Sequence, residues 1–96
     1  MQVLLVEDDI VAARCIKKEF EAADIAVDTV RSATDAMSRT LRATYDLAIL
    51  DIFVDDGTTI SLSNYLRMRS PDTAIMSITG SAAFPCGDHG EVMSAD

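Results

Sequence analysis

The sequence predicts an α/β domain in which a parallel sheet of about four strands carries helices on its faces. Three observations lead there. Val3 to Val6 and Leu47 to Leu50 are short, unbroken apolar runs, as expected of strands covered on both sides. Longer stretches between such runs place apolar residues at helical spacing. Strand and helix then alternate through short loops, which implies parallel strands joined by right-handed crossovers.

In chain order, Val3 to Val6 is the first strand, and Asp9 is placed to cap a helix running to about Ala23. Ile10, Ala13, Ile16 and Phe20 form its apolar stripe. A short strand follows near Ile25 to Val30. Ser32 or Thr34 caps a second helix with Ala33, Ala36, Met37, Thr40 and Leu41 on its inner side. Asp46 to Asp51 contains the third strand, ending at a carboxylate. Asp55, Asp56, Gly57 and Thr58 read as a turn before a third helix around Thr59 to Arg69, with Ile60, Leu62, Tyr65, Leu66 and Met68 as its apolar side. Ser70-Pro71 stops that helix, since the residue before proline disfavours helical backbone. Thr73 to Ile78 is a fourth strand. Residues 1–80 thus form the core, and 81–96 read as an irregular or partly helical tail, with a helix near Asp88 to Met93 and no fifth strand.

Ninety-six residues suit one small domain, and 49% hydrophobic content supplies a core. Sixteen acidic against eight basic residues give a net charge of −8, which opposes direct nucleic-acid binding. The opening apolar run is four residues long and ends in Glu7-Asp8-Asp9, so no secretory signal is expected; no stretch approaches the roughly 20 apolar residues of a membrane span. Cys15 and Cys86 lack metal-ligand spacing and are expected as reduced thiols. A cytoplasmic protein with no membrane association is the expectation. His89 stands without a partner at ligand spacing.

Ligands of open parallel sheets bind beyond the carboxyl ends of the strands. Polar residues fall there three times: Glu7 and Asp8 after the first strand, Asp51 at the end of the third, and Thr79 after the fourth. Folding therefore gathers carboxylates from positions more than forty residues apart. Mutual repulsion raises their proton affinity. Mg²⁺, which takes oxygen ligands and is commonly held by one or two carboxylates plus a phosphate, relieves it. Asp51 is then suited to act as a nucleophile toward phosphorus, with the Thr79 hydroxyl and the Gly80 amide as donors to a phosphoryl oxygen.

The stretches VLLVEDD, DLAILDIFVDDG and AIMSITG, in that order and spacing, resemble a response-regulator receiver domain of two-component signalling, over Met1 to about Gly80. The resemblance implies a flavodoxin-like, doubly wound sheet. It implies that Glu7 and Asp8 are the acidic pair, with Asp8 the more direct Mg²⁺ ligand, and that Asp51 is the phosphoacceptor. Phe53 falls where the family offers a backbone carbonyl to the metal, and Thr79 where it has the hydroxyl residue that moves on switching. The implied partner is a sensor histidine kinase or phosphotransfer protein, docking on the first helix around Ile10 and Ala13.

Departures from the family pattern shape the alternatives. Asp55 and Thr59 stand where the family usually has proline and glycine. The family's lysine at the end of a fifth strand has no counterpart: the chain's lysines are Lys17 and Lys18, within the first helix. The fifth strand and last helix of the family are also missing, which implies a domain truncated or degenerate at its C-terminal end. The exposed sheet edge so left predicts self-association. Two readings follow: a phosphoryl-accepting module, not an enzyme, phosphorylated on Asp51 with Mg²⁺, or a non-switching docking or dimerisation domain. A Mg²⁺ phosphatase with an aspartyl nucleophile needs a second carboxylate two residues on, and Phe53 occupies that position.

Overall fold

The computed structural model describes residues 1–79 and 91–95, the last five and Thr79 through their backbone. Strand β1 (Gln2–Val6) leads to α1 (Ile10–Ala22), β2 (Ala26–Val30), α2 (Ala33–Thr40) and β3 (Leu47–Asp51). Two short strands, β4 (Phe53–Val54) and β5 (Gly57–Thr58), precede α3 (Ile60–Arg69), β6 (Ala74–Thr79) and β7 (Glu91–Ala95). The main sheet has the order β2-β1-β3-β6-β7, with the first four strands parallel and β7 antiparallel to β6. The parallel order is that of the doubly wound sheet expected from the sequence. Its direction of winding reverses between β1 and β3, which opens a crevice at their carboxyl ends.

Two apolar layers sandwich the sheet, and β1 shows why its apolar run is continuous. Leu4 and Val6 face a cluster with Ala36 of α2 and Leu62 and Leu66 of α3. Val3 and Leu5 face the other way, against Ala13 and Ile16 of α1. Since side chains alternate along a strand, a strand buried on both sides has no polar face to show. All four of these β1 side chains are fully buried.

Helix ends follow local chemistry. The Asp9 carboxylate accepts the amides of Val11 and Ala12 at 2.9 and 3.2 Å, as an N-cap does. Of the two caps open for α2, Ser32 is the one used, accepting the Asp35 amide at 3.1 Å. The chain leaves α1 through Asp24 at φ 62°, a left-handed conformation that aspartate tolerates better than most residues. Helical stripes were read too wide: Ile10, Met37, Leu41, Ile60 and Met68 are exposed, because α1 to α3 each press only a narrow ridge of small or central residues onto the sheet.

Two expectations are corrected. Residues 91–95 form a strand, so a helix reaching Met93 is excluded; Glu91 to Ala95 pair with Met76 to Thr79 and cover the edge of β6 that was expected to lie open. That edge offers a row of unpaired backbone groups, and the short segment Glu91–Ala95 pairs with them. The turn expected at Asp55 to Thr58 is narrower: Asp55 and Asp56 make it, while Gly57 and Thr58 pair with Val54 and Phe53 in a small hairpin. The Gly80 to Gly90 part of the predicted tail, with Cys86 and His89, lies outside the described residues. Among the described residues no helix is long and apolar enough to cross a membrane.

Candidate metal centre

The two edges of the sheet treat polar groups differently. At the amino ends of the strands they satisfy one another. The Asp46 carboxylate accepts the Gln2 amide at 2.8 Å, and the Thr73 hydroxyl donates to the Tyr45 carbonyl at 2.6 Å. At the carboxyl ends carboxylates converge without such closure. Glu7 follows β1 directly, its amide donating to the Val30 carbonyl at 2.9 Å, and Asp51 is the last residue of β3. Both are buried, at 2% and 5% exposure. Asp8, half-buried, completes the group: one carboxylate oxygen from each of Glu7, Asp8 and Asp51 lies within 4.8 Å of the other two.

Hydrogen bonding inside this group is incomplete. Glu7 Oε1 accepts the Asp9 amide at 3.1 Å, but Oε2 is buried with no partner. Asp51 Oδ1 accepts the Phe53 amide at a long 3.4 Å. Burial pushes the Glu7 carboxyl up to about 8, and its contact with Asp51 adds to the rise. Burial likewise raises Asp51, with the Asp8 charge acting in the same direction and Glu7 partly countering it. A buried acceptor left unpaired costs about 1–3 kcal/mol, so the cluster is unfavourable by itself. Its donor set is the one a hard divalent cation takes. Mg²⁺ with oxygens at about 2.1 Å sets opposite ligands about 4.2 Å apart, so small side-chain rotations close the cluster around one ion. The residues fit Mg²⁺.

The strand register brings Thr79 to the same edge. Asp51 pairs with Ile78 across β3 and β6, which leaves Thr79 one residue further toward the carboxyl end. The side chain of Thr79 and the whole of Gly80 lie outside the described residues. Phe53 opens the hairpin just after Asp51 and is 68% exposed. Lys17 and Lys18 lie on α1, and no other lysine occurs in the chain. The sequence reading did not single out a bond at Thr59, which is buried and donates its hydroxyl to the Asp51 carbonyl at 2.8 Å, fixing the backbone of the strand's last residue. It also missed Asp56, which reaches the first turn of α2. A buried threonine before a helix looks like a cap in sequence, and a contact spanning 22 residues has no local signal.

Comparison with known proteins agrees with this architecture. The family model of the response regulator receiver domain matches residues 3–95. The transcription factor SKN7 of Chaetomium thermophilum is 34% identical over 80 residues, 81% of this chain and 10% of that protein. The chain therefore spans about a tenth of the length of that curated relative. Among solved structures, the CheY-like receiver domain from Methylobacillus flagellatus superposes with a TM-score of 0.76 at 28% identity, over 83% of this chain and 70% of that one. A sensor protein from Polaromonas sp. JS666 gives 0.74 at 30%, over 82% and 65%. The response regulator TrrA from Thermotoga maritima, in complex with Mg²⁺-BeF, gives 0.76 at 24%, over 81% and 68%, a likeness of fold alone. Receiver fold, strand order and family match coincide, and the chain belongs to the response regulator receiver domain family.

Proposed function

We propose that this domain accepts a phosphoryl group on Asp51 from a phosphohistidine of a sensor histidine kinase or phosphotransfer protein, with Mg²⁺ bound by Glu7, Asp8, Asp51 and the Phe53 backbone carbonyl. The observation that carries this reading is the convergence of three carboxylates within 4.8 Å around a buried, unpartnered Glu7 oxygen. When bound, Mg²⁺ neutralises part of the carboxylate field and draws charge from the phosphoryl oxygens. An Asp51 oxygen attacks phosphorus; the phosphorus–nitrogen bond breaks, and its electron pair stays on the imidazole, which takes up a proton. The Thr59 hydroxyl and the Ile52 amide, which donates to the Ile78 carbonyl at 3.1 Å, hold the Asp51 backbone still, so the nucleophile is presented without a search over conformations. Thr79 and the Gly80 amide donate to the transferred group. The added charge of about −1.5 to −2 then reorganises the loops around it. The product is a stored signal and the domain is not a turnover enzyme. A cytoplasmic setting and self-association of phosphorylated copies belong to the same reading.

Acetyl phosphate with Mg²⁺ is the direct test. One phosphoryl group on Asp51, trapped by borohydride reduction to homoserine and lost on chelation of Mg²⁺, is expected. A folded chain that stays unlabelled contradicts the proposal. A second reading is a receiver-like domain that docks or dimerises without switching; the lysines of these 96 residues are Lys17 and Lys18, both on α1. In that case Asp51-dependent Mg²⁺ binding is absent while partner binding persists.

A further inference from the structure

The loop after Asp51 is tied at its base and at its tip. At the base, the Thr59 amide donates to the Ile52 carbonyl at 3.0 Å, beside the Thr59 hydroxyl bond to Asp51. Between them Phe53 and Val54 pair with Thr58 and Gly57, the latter at φ 124°, a region that favours glycine. At the tip, Asp56 Oδ1 accepts the Ala33 amide at 3.0 Å, and Oδ2 accepts the Thr34 amide at 3.1 Å and the Thr34 hydroxyl at 2.7 Å. Neighbouring Asp55 pairs with Arg31 at 3.3 Å, just ahead of α2.

Helix α2 already has its own cap in Ser32, which takes the Asp35 amide. Asp56 takes the first-turn amides that Ser32 leaves open, where a negative charge is also favoured by the helix dipole. The Thr34 hydroxyl and the two amides lower the Asp56 carboxyl below the usual carboxylate range, in keeping with a bonded anion. The loop that carries Phe53 is thus fastened to a second element, and that fastening is tertiary, with partners 22 and 23 residues upstream.

We infer that Asp56 is a positioning residue for the acidic cluster: by clasping the first turn of α2 it holds the Phe53 segment against Asp51, so cation affinity there depends on Asp56. This rests on the phosphoacceptor reading. The dependence is reciprocal, because a link that lets α2 steady the cluster also lets occupancy of the cluster steady α2. Phe53 is where the clasp acts, since its amide bonds Asp51 and its carbonyl is the proposed ligand. Asp56 is exposed, so water competes for its bonds and the effect is moderate.

The test is Mg²⁺ titration of the full chain together with amide hydrogen exchange. Asp56→Ala is expected to weaken Mg²⁺ binding about threefold to tenfold. Thr34→Val, which alters no charge, shifts it in the same direction by less, and Asp56→Asn, keeping one acceptor oxygen, recovers part of the loss. In the unsubstituted chain Mg²⁺ slows exchange at the Ala33 and Thr34 amides; in Asp56→Ala it does not. Exchange at Leu4 and Ile49 reports whether each variant is folded, and Thr34→Val decides the matter if Asp56→Ala is not. Unchanged Mg²⁺ affinity in folded variants, or α2 exchange indifferent to Mg²⁺, overturns the inference while leaving the phosphoacceptor reading intact. Mg²⁺ binding that ignores Asp51→Asn sinks both.

Discussion

Replacing Asp51 should make the metal-free domain more stable. In Asp51→Asn the side chain keeps its shape and loses its charge. One oxygen from each of Glu7, Asp8 and Asp51 lies within 4.8 Å of the others, and at an effective dielectric of 20 two full charges at that distance repel by about 3 kcal/mol. Glu7, pushed up to about 8, already sheds much of its charge at pH 7.5, so the relief comes mainly from the pair Asp8 and Asp51 and from easier ionisation of Glu7. The 3.4 Å bond from the Phe53 amide to Asp51 Oδ1 can be kept by the asparagine oxygen, as can the contact with Glu7. A net gain of about 1–3 kcal/mol follows, which for a domain of this size raises Tm by roughly 5 to 15 °C. Calorimetry or circular dichroism melting at pH 7.5, low salt and in chelator measures it. Adding Mg²⁺ at ten times its Kd stabilises the parent chain by about 1.4 kcal/mol and the variant by almost nothing, so the two curves approach one another. A variant that melts at or below the parent temperature in chelator refutes the reasoning, because it would mean that the Asp51 charge is already compensated.

Other outcomes follow from the same structure. Glu7 is raised from 4.5 to about 8 on folding, so its contribution to stability is full below pH 4.5 and is lost as pH rises through 8, at up to about 1.4 kcal/mol per pH unit. Metal-free denaturation midpoints should therefore fall between pH 5 and 8, and saturating Mg²⁺ should flatten that fall; a metal-free midpoint that rises over this window contradicts it. Thr59→Val leaves the Asp51 carbonyl without its hydroxyl donor and should cost about 1–2 kcal/mol in urea unfolding, with slower phosphorylation by acetyl phosphate. Leu4→Ala, at a fully buried position of the interior strand β1, should cost about 2–5 kcal/mol, whereas Met68→Ala, 83% exposed, should change the midpoint little.

The parallel sheet was legible because β1 and β3 bury both faces, and only an unbroken apolar run can do that. The same runs located the carboxylates, since Glu7 and Asp51 are the residues at which burial stops being apolar. Apolar content overstated the helices: Ile60 and Met68 stand two and six residues from Leu62 and Leu66, offsets that turn them to the far side of α3, and they face solvent. Contacts between segments were invisible. Asp56 looks like half of a turn until α2 is folded beside it, and the strand at 91–95 is defined by the unpaired edge of β6 more than by its own five residues.

Paramagnetic Mn²⁺ as a stand-in for Mg²⁺, followed by NMR of the amides, bears most directly on whether these three carboxylates share one ion. A single site displaced by Mg²⁺, with line broadening centred on Glu7, Asp8, Asp51 and Phe53 and abolished in Asp51→Asn, is the predicted result. Broadening centred elsewhere on this acidic surface, or surviving Asp51→Asn unchanged, would contradict the account.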